Sequence, residues 1–227
     1  MTAALGLGTV ATAADEPSLV VLELYTSQGC SSCPPADALM HTIAKERADV
    51  LPLSFHVDYW DYIGWTDTFA DPTHSERQKT YARNFKERMV YTPQVVVNGS
   101  VSMVGHKAKK LNEAVSFFEA QAALVSLSLV RTGEDVVVNL RPLAVEIPAT
   151  ELHLVRYKPE ATVQIGRGEN AGRSVTYTNV VMDWHVAWVW DGSEAQSVTL
   201  PAPGPMPVAV ILQERGLGPV LAAAQLE

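Results

Sequence analysis

With 227 residues, 47% of them apolar and 19% charged, the chain is long enough to bury a substantial core, and its composition excludes a mainly disordered protein. Its 25 acidic residues outnumber 17 basic ones, giving a formal net charge of −8 that repels nucleic acid and anionic membrane surfaces. The single basic cluster, Lys107, Lys109 and Lys110, reads as a solvated helix face.

Residues 1–17 come first. The small and apolar run from Ala3 to Ala14 closes on Ala11-Thr12-Ala13 ahead of Asp15-Glu16-Pro17, the pattern of a signal-peptide remnant or a disordered leader. A periplasmic or secreted location follows as an expectation. No later stretch reaches the roughly 18 apolar residues of a bilayer span, so no membrane insertion of the mature chain is expected.

Ser18 to Tyr25 is a compact aliphatic run that reads as a buried strand. Cys30-Ser31-Ser32-Cys33-Pro34-Pro35 follows, and Ala36, Leu39, Met40, Ile43 and Ala44 then fall at helical spacing. Prolines are tolerated in a first helical turn, where their missing N–H groups would have had no intrahelical partner. Val50 to Val57 reads as a second strand. An aromatic segment follows, with Asp58, Tyr59, Trp60, Tyr62 and Trp65, and Thr73 and Glu76 then have capping-box spacing ahead of Tyr81, Phe85 and Met89. Asn98-Gly99 between two β-prone runs predicts a two-residue hairpin turn, and Leu111 to Phe118 marks a third helix. From about Val125 onward the texture changes to short alternating runs separated by turn-rich breaks, the pattern of an all-β sandwich.

The only two cysteines stand at the mouth of a helix. A helix N-terminus favours a thiolate over a thiol, and a two-residue spacer brings the second sulfur within reach of the first. Cys30 as nucleophile and Cys33 as resolving thiol is therefore the leading reading, with protein thiols or disulfides as partners. Two others stay open: an inert bridge, which would be a weak staple over so short a loop, and a copper(I) site built from the same two thiolates in a metal-binding or assembly protein. The six histidines are scattered, no metal site beyond that pair is expected, and no cofactor is called for.

Placed between a strand and a helix, and upstream of Thr92-Pro93 and the hairpin, the dithiol resembles that of the thioredoxin-like superfamily over residues 18–123. The resemblance implies a cis proline at Pro93 facing the sulfurs and a Thr92 backbone that pairs with an extended substrate. Near the place where that superfamily keeps a buried acid stands Glu23, which is expected to have a pKa raised by desolvation and to accept the proton of Cys33. The stretch Leu22 to Asp37, with His56-Val-Asp-Tyr-Trp60, Gly64-Trp65, Arg77-Gln78, Tyr91 to Gln94 and Arg167 to Arg173, is similar to a family of uncharacterised exported bacterial proteins catalogued as a domain of unknown function.

The expected fold class is thus an α/β thioredoxin-like domain over residues 18–123 followed by an all-β sandwich-like domain over 124–227. The expected function is that of an exported thiol–disulfide oxidoreductase, with a membrane redox partner to reset it. Asp58, Tyr59, Trp60 and Trp65 are expected to wall a substrate groove. Arg167, Glu169, Asn170 and Arg173 form a polar, glycine-flanked loop that docks on the cysteine half, binds a partner or, by default, stays solvated.

Overall fold

A computed structural model describes residues 18–227, so the leader or signal remnant assigned to residues 1–17 lies outside the described residues. The chain runs β1 (Val20–Thr26), α1 (Pro34–Glu46), β2 (Val50–His56), a short 3-10 turn (Asp61–Ile63), α2 (Pro72–Asn84), β3 (Gln94–Val97), β4 (Val101–Val104) and α3 (Ala108–Glu119). Seven strands complete it: β5 (Val125–Thr132), β6 (Asp135–Pro142), β7 (Thr150–Gln164), β8 (Ser174–Trp190), β9 (Gln196–Pro201), β10 (Val208–Glu214) and β11 (Val220–Leu226).

Eight strands form one mixed sheet in the order β11-β10-β7-β8-β2-β1-β3-β4, and β5-β6-β9 form a second. This overturns the expected fold class. There is no α/β thioredoxin-like domain followed by a separate all-β sandwich; the protein is mostly β, and its large sheet runs through both halves of the chain. The junction is the parallel β2–β8 contact, where Ser54 pairs with Val180, Ser54 Oγ donates to Thr178 O at 2.8 Å and Asn179 Nδ2 donates to Pro52 O at 2.9 Å. Tyr25, Phe55 and Val96 share one apolar cluster with Val155, Tyr157, Val181 and Ile211. The small sheet covers the other end, packing Leu127, Val138 and Leu200 against Leu154, Val210 and Leu212.

The sequence misleads here because periodicity reports burial and says nothing of which strand pairs with which. Lys158-Pro159-Glu160 looks like a break, yet β7 continues through it. Pro159 needs no donor there, because the ladder steps from Lys158–Val180 to Glu160–Thr178 and leaves Asn179 opposite it in left-handed backbone (φ 47°). Two local expectations change as well. Asp71, not Thr73, caps α2 by accepting from the Thr73 N–H at 2.7 Å, and the helix ends at Asn84, short of Met89. The hairpin loop has three residues, Asn98 to Ser100, where two were expected, because Val97 pairs with Val101; Asn98 (φ 45°) and Gly99 (φ 64°) make the turn, and a Cβ at Gly99 would lie 2.3 Å from Gly218 O, so only glycine fits there.

Candidate functional site

Strand β1 delivers the chain to the C-terminal edge of the sheet, where residues 27–33 form a tight loop into α1. Cys30 N–H donates to Ser27 O at 3.1 Å and Cys33 N–H to Cys30 O at 3.3 Å, which curls the loop back on itself. Cys33 caps α1, Pro34 and Pro35 occupy its first turn, and the two sulfurs form a disulfide with Cα atoms 5.4 Å apart. Ser31 and Ser32 are exposed, whereas Cys30 is 1% and Cys33 0% exposed. Ser32 Oγ lies 3.4 Å from Cys30 Sγ and from Thr92 O, and the Thr92-Pro93 peptide bond is cis. Pro93, Leu24 and Ala36 all crowd Gly105, which packs this proline against β1 and the first turn of α1.

Three pieces cover the loop. Trp60 lies across Gly29, where an added Cβ would meet Trp60 Cβ at 3.2 Å, and its Nε1 donates to Thr92 Oγ1 at 2.7 Å. Trp65 donates from Nε1 to Gln28 Oε1 at 2.8 Å and packs on Gly166 and Gly168. Asn170, on the loop between β7 and β8, is 1% exposed and donates from Nδ2 to Gln28 O at 2.9 Å and to Cys30 O at 2.8 Å. Its neighbours Arg167, Glu169 and Arg173 are exposed. Tyr59 turns away to Gln78 Oε1, and Asp58 Oδ1 accepts from Ser75 Oγ. The aromatic segment therefore lies on the cysteine loop as a cover instead of walling an open groove beside it.

With Cys30 buried and Asn170 holding its carbonyl, reduction of the disulfide is expected to require this covering loop to lift. Two neutral hydrogen bonds contribute roughly 1 kcal/mol each. Asn170→Ala is therefore expected to speed reduction of the disulfide by dithiothreitol by roughly 5- to 30-fold at constant pH, measured by timed alkylation of the freed thiols. An unchanged rate would show that the loop does not gate the sulfurs.

Beneath the loop lies a buried polar cluster that the sequence reading did not single out. Asp37, on α1, accepts from Thr26 Oγ1 at 2.8 Å through Oδ1, while its Oδ2 is buried with no hydrogen-bond partner. His56, at the end of β2, places Nδ1 2.7 Å from Asp67 Oδ2, and Asp67 also receives the Gln28 and Phe69 N–H groups. His56 Nε2 is buried and unpartnered. Burial pushes the Asp37 carboxyl up to about 7, against the opposing pull of the Thr26 hydrogen bond and the nearby His56. Burial also works against the Asp67 carboxylate, but hydrogen bonds from His56 and the two N–H groups outweigh it and hold it below the usual range. The signal available in the sequence was a single acid among the apolar positions of α1, which helical spacing alone does not separate from a solvated residue.

Glu23 is also buried, but in a different setting. Arg77 donates to it twice, from Nε to Oε2 at 2.7 Å and from Nη2 to Oε1 at 2.8 Å, and Tyr81 and Tyr25 hydroxyls add bonds of 2.7 and 3.0 Å. Its oxygens serve this ion pair on the α2 side, while the unpartnered carboxylate oxygen belongs to Asp37. Among the described residues no cluster of three or more His, Cys, Asp or Glu is arranged to hold a metal ion, and no helix is long and apolar enough to cross a membrane.

A sequence-family profile described as "Protein of unknown function (DUF1223)" matches residues 21–213. The X-ray crystal structure of a protein from Agrobacterium tumefaciens is 31% identical, with a TM-score of 0.80 over 94% of this chain and 96% of that one. HBP35 of Porphyromonas gingivalis, at 15% identity and a TM-score of 0.64 over 92% of this chain and 75% of that one, shares the fold alone. No curated protein matches.

Proposed function

We propose that this chain, which belongs to the DUF1223 family of proteins of unknown function, exchanges thiols and disulfides on other proteins through Cys30 and Cys33, in the periplasm or outside the cell. The observation that carries the reading is the Cys30–Cys33 disulfide closed across two exposed serines at the mouth of α1. A loop of this length removes little entropy from the unfolded chain, so stability alone is a poor reason for the bond. Oxidising compartments are where such a pair cycles, and a membrane-bound redox partner would reset it.

In the oxidising direction a substrate thiolate attacks Cys30 Sγ, the Cys30–Cys33 bond breaks, and Cys33 leaves as a thiolate that takes up a proton. A second substrate thiolate then attacks the substrate sulfur of the mixed disulfide. The substrate leaves oxidised and the chain keeps two thiols. The reducing direction is the reverse. Thr92, whose carbonyl lies beside Ser32, and Trp60 are the nearest elements for an extended segment to meet once the cover has moved.

The test equilibrates the folded protein with glutathione buffers, traps it by acid and alkylation, and follows exchange with a peptide disulfide. A reversible two-electron transition is expected, with Cys33→Ser accumulating a mixed disulfide at Cys30 and Cys30→Ser inactive. Reduction seen only when the protein unfolds would sink the reading.

A further inference from the structure

We propose that the proteins this chain exchanges with carry acidic residues beside their reactive cysteine, and that Arg167, Arg173 and Lys107 receive those acids. The inference rests on the exchange reading above and names the substrate class of that same site.

The disulfide lies between two short loops. On one side is the loop between β7 and β8, closed at its base by Ile165 N–H donating to Arg173 O at 2.9 Å and Gly172 N–H donating to Ile165 O at 2.7 Å. Asn170 pins this loop to the Cys30 carbonyl, and Arg173 N–H donates to Asn170 O at 3.1 Å, so both arginines stand close in the chain to that anchor. On the other side is the turn from β4 into α3. Gly105 N–H donates to Pro93 O at 3.0 Å, and a Cβ on Gly105 would meet Ala36, in the first turn of α1, at 3.2 Å. Lys107 follows at the N-cap of α3.

Arg167, Arg173 and Lys107 are all exposed, and among the described residues none of them is held in an ion pair. The acids nearby offset them only in part. Glu169 is the one exposed carboxylate on the β7–β8 loop, against two guanidiniums. In the covering segment Asp67 is buried against His56, and the half-buried Asp58 and Asp61 accept from Ser75 Oγ and the Asp67 N–H. A chain of net charge −8 thus keeps a local excess of cations around its sulfurs.

The consequence follows from electrostatics. Most of the surface repels an acidic protein, whereas cations beside the disulfide turn its approach toward them and hold its carboxylates where the mixed disulfide forms. Arginine suits this task, because its planar fork pairs with a carboxylate through two hydrogen bonds.

The experiment mixes the reduced protein with the symmetric disulfides of three peptides that differ only in the residues flanking their cysteine: Glu, Gln or Lys. Cys30 thiolate attacks one peptide sulfur, and the peptide–peptide bond breaks with its electron pair leaving on the other peptide. Cys33 thiolate then attacks Cys30 Sγ and the bound peptide leaves as a thiolate, so the protein is oxidised and the peptide disulfide is reduced to two thiols. Acid quench and alkylation give the rates. At about 20 mM salt the Glu peptide should react roughly 10-fold faster than the Lys peptide, the reverse of the order that the net charge of the whole chain predicts. At about 0.5 M salt the ratio should shrink to within about 2-fold. Arg167→Gln/Arg173→Gln should lose most of the low-salt preference, and adding Lys107→Gln should remove the remainder. Equal rates for the three peptides at low salt, or a preference for Lys, would overturn the inference while the exchange reading stands. The same fractional loss for all three peptides in the variant would also overturn it, since the arginines would then act on Cys30 itself. If no peptide disulfide oxidises the folded protein, the exchange reading fails and takes this inference with it.

Discussion

Arg77→Leu is expected to destabilise the protein by about 3 to 5 kcal/mol, the cost of leaving a buried charge without its partner. Glu23 and Arg77 are both buried, and their bidentate contact lies in a polar knot that joins three elements. Glu23 is on β1, Arg77 on α2, and Gln213 on β10 accepts from Arg77 Nη2 at 3.1 Å. The guanidinium also sits 4.2 Å over the Trp184 ring on β8. Removing it strands Glu23 among Tyr25 and Tyr81, whose hydroxyls solvate a carboxylate only in part. The double variant Glu23→Leu/Arg77→Leu should recover much of the loss, because it removes both charges and their desolvation. Urea unfolding of the single and double variants measures both. A single-variant loss below about 1 kcal/mol would mean that water reaches the pair.

The second large effect is a pH-dependent gain. Asp37 has a folded value of about 7 against an ordinary 3.8, so between those limits the folded protein holds a proton that the unfolded chain has released. Stability therefore falls as pH rises through that window, by as much as roughly 4 kcal/mol once Asp37 is fully ionised. Asp37→Asn keeps an oxygen for Thr26 Oγ1 and removes the titration. It should match the parent below about pH 4 and exceed it above about pH 7 by up to that amount. Urea midpoints of the oxidised proteins across pH decide the matter, and parallel curves would refute the buried titration.

Around the cysteines much was legible. An eight-residue aliphatic run ahead of a Cys-x-x-Cys, two prolines and a 3.6-residue apolar repeat specify strand, loop and helix, because each signal is local and each backbone preference is set by neighbouring residues. β1, α1 and the mutual reach of Cys30 and Cys33 follow from these. The expected function of Glu23 did not, since its partner Arg77 lies 54 residues away and the sequence does not reveal that the two meet. Asp37 was passed over for the same reason: an acid in a helix is usually solvated, and only the closeness of Thr26, His56 and Tyr177 makes this one buried.

By itself, then, the sequence determined that a dithiol stands at the start of a helix in an acidic, folded protein with a β-rich second half. Tertiary structure alone decided that this second half continues the first half's sheet through Ser54 and Val180, that Asn170 reaches across 140 residues to hold the Cys30 carbonyl, and that Asp37 is buried with one carboxylate oxygen unpartnered. The physical reason is common to all three. Strand pairing, loop docking and carboxyl burial are long-range contacts, and the hydrophobic alternation that makes a strand is the same whichever neighbour it finds.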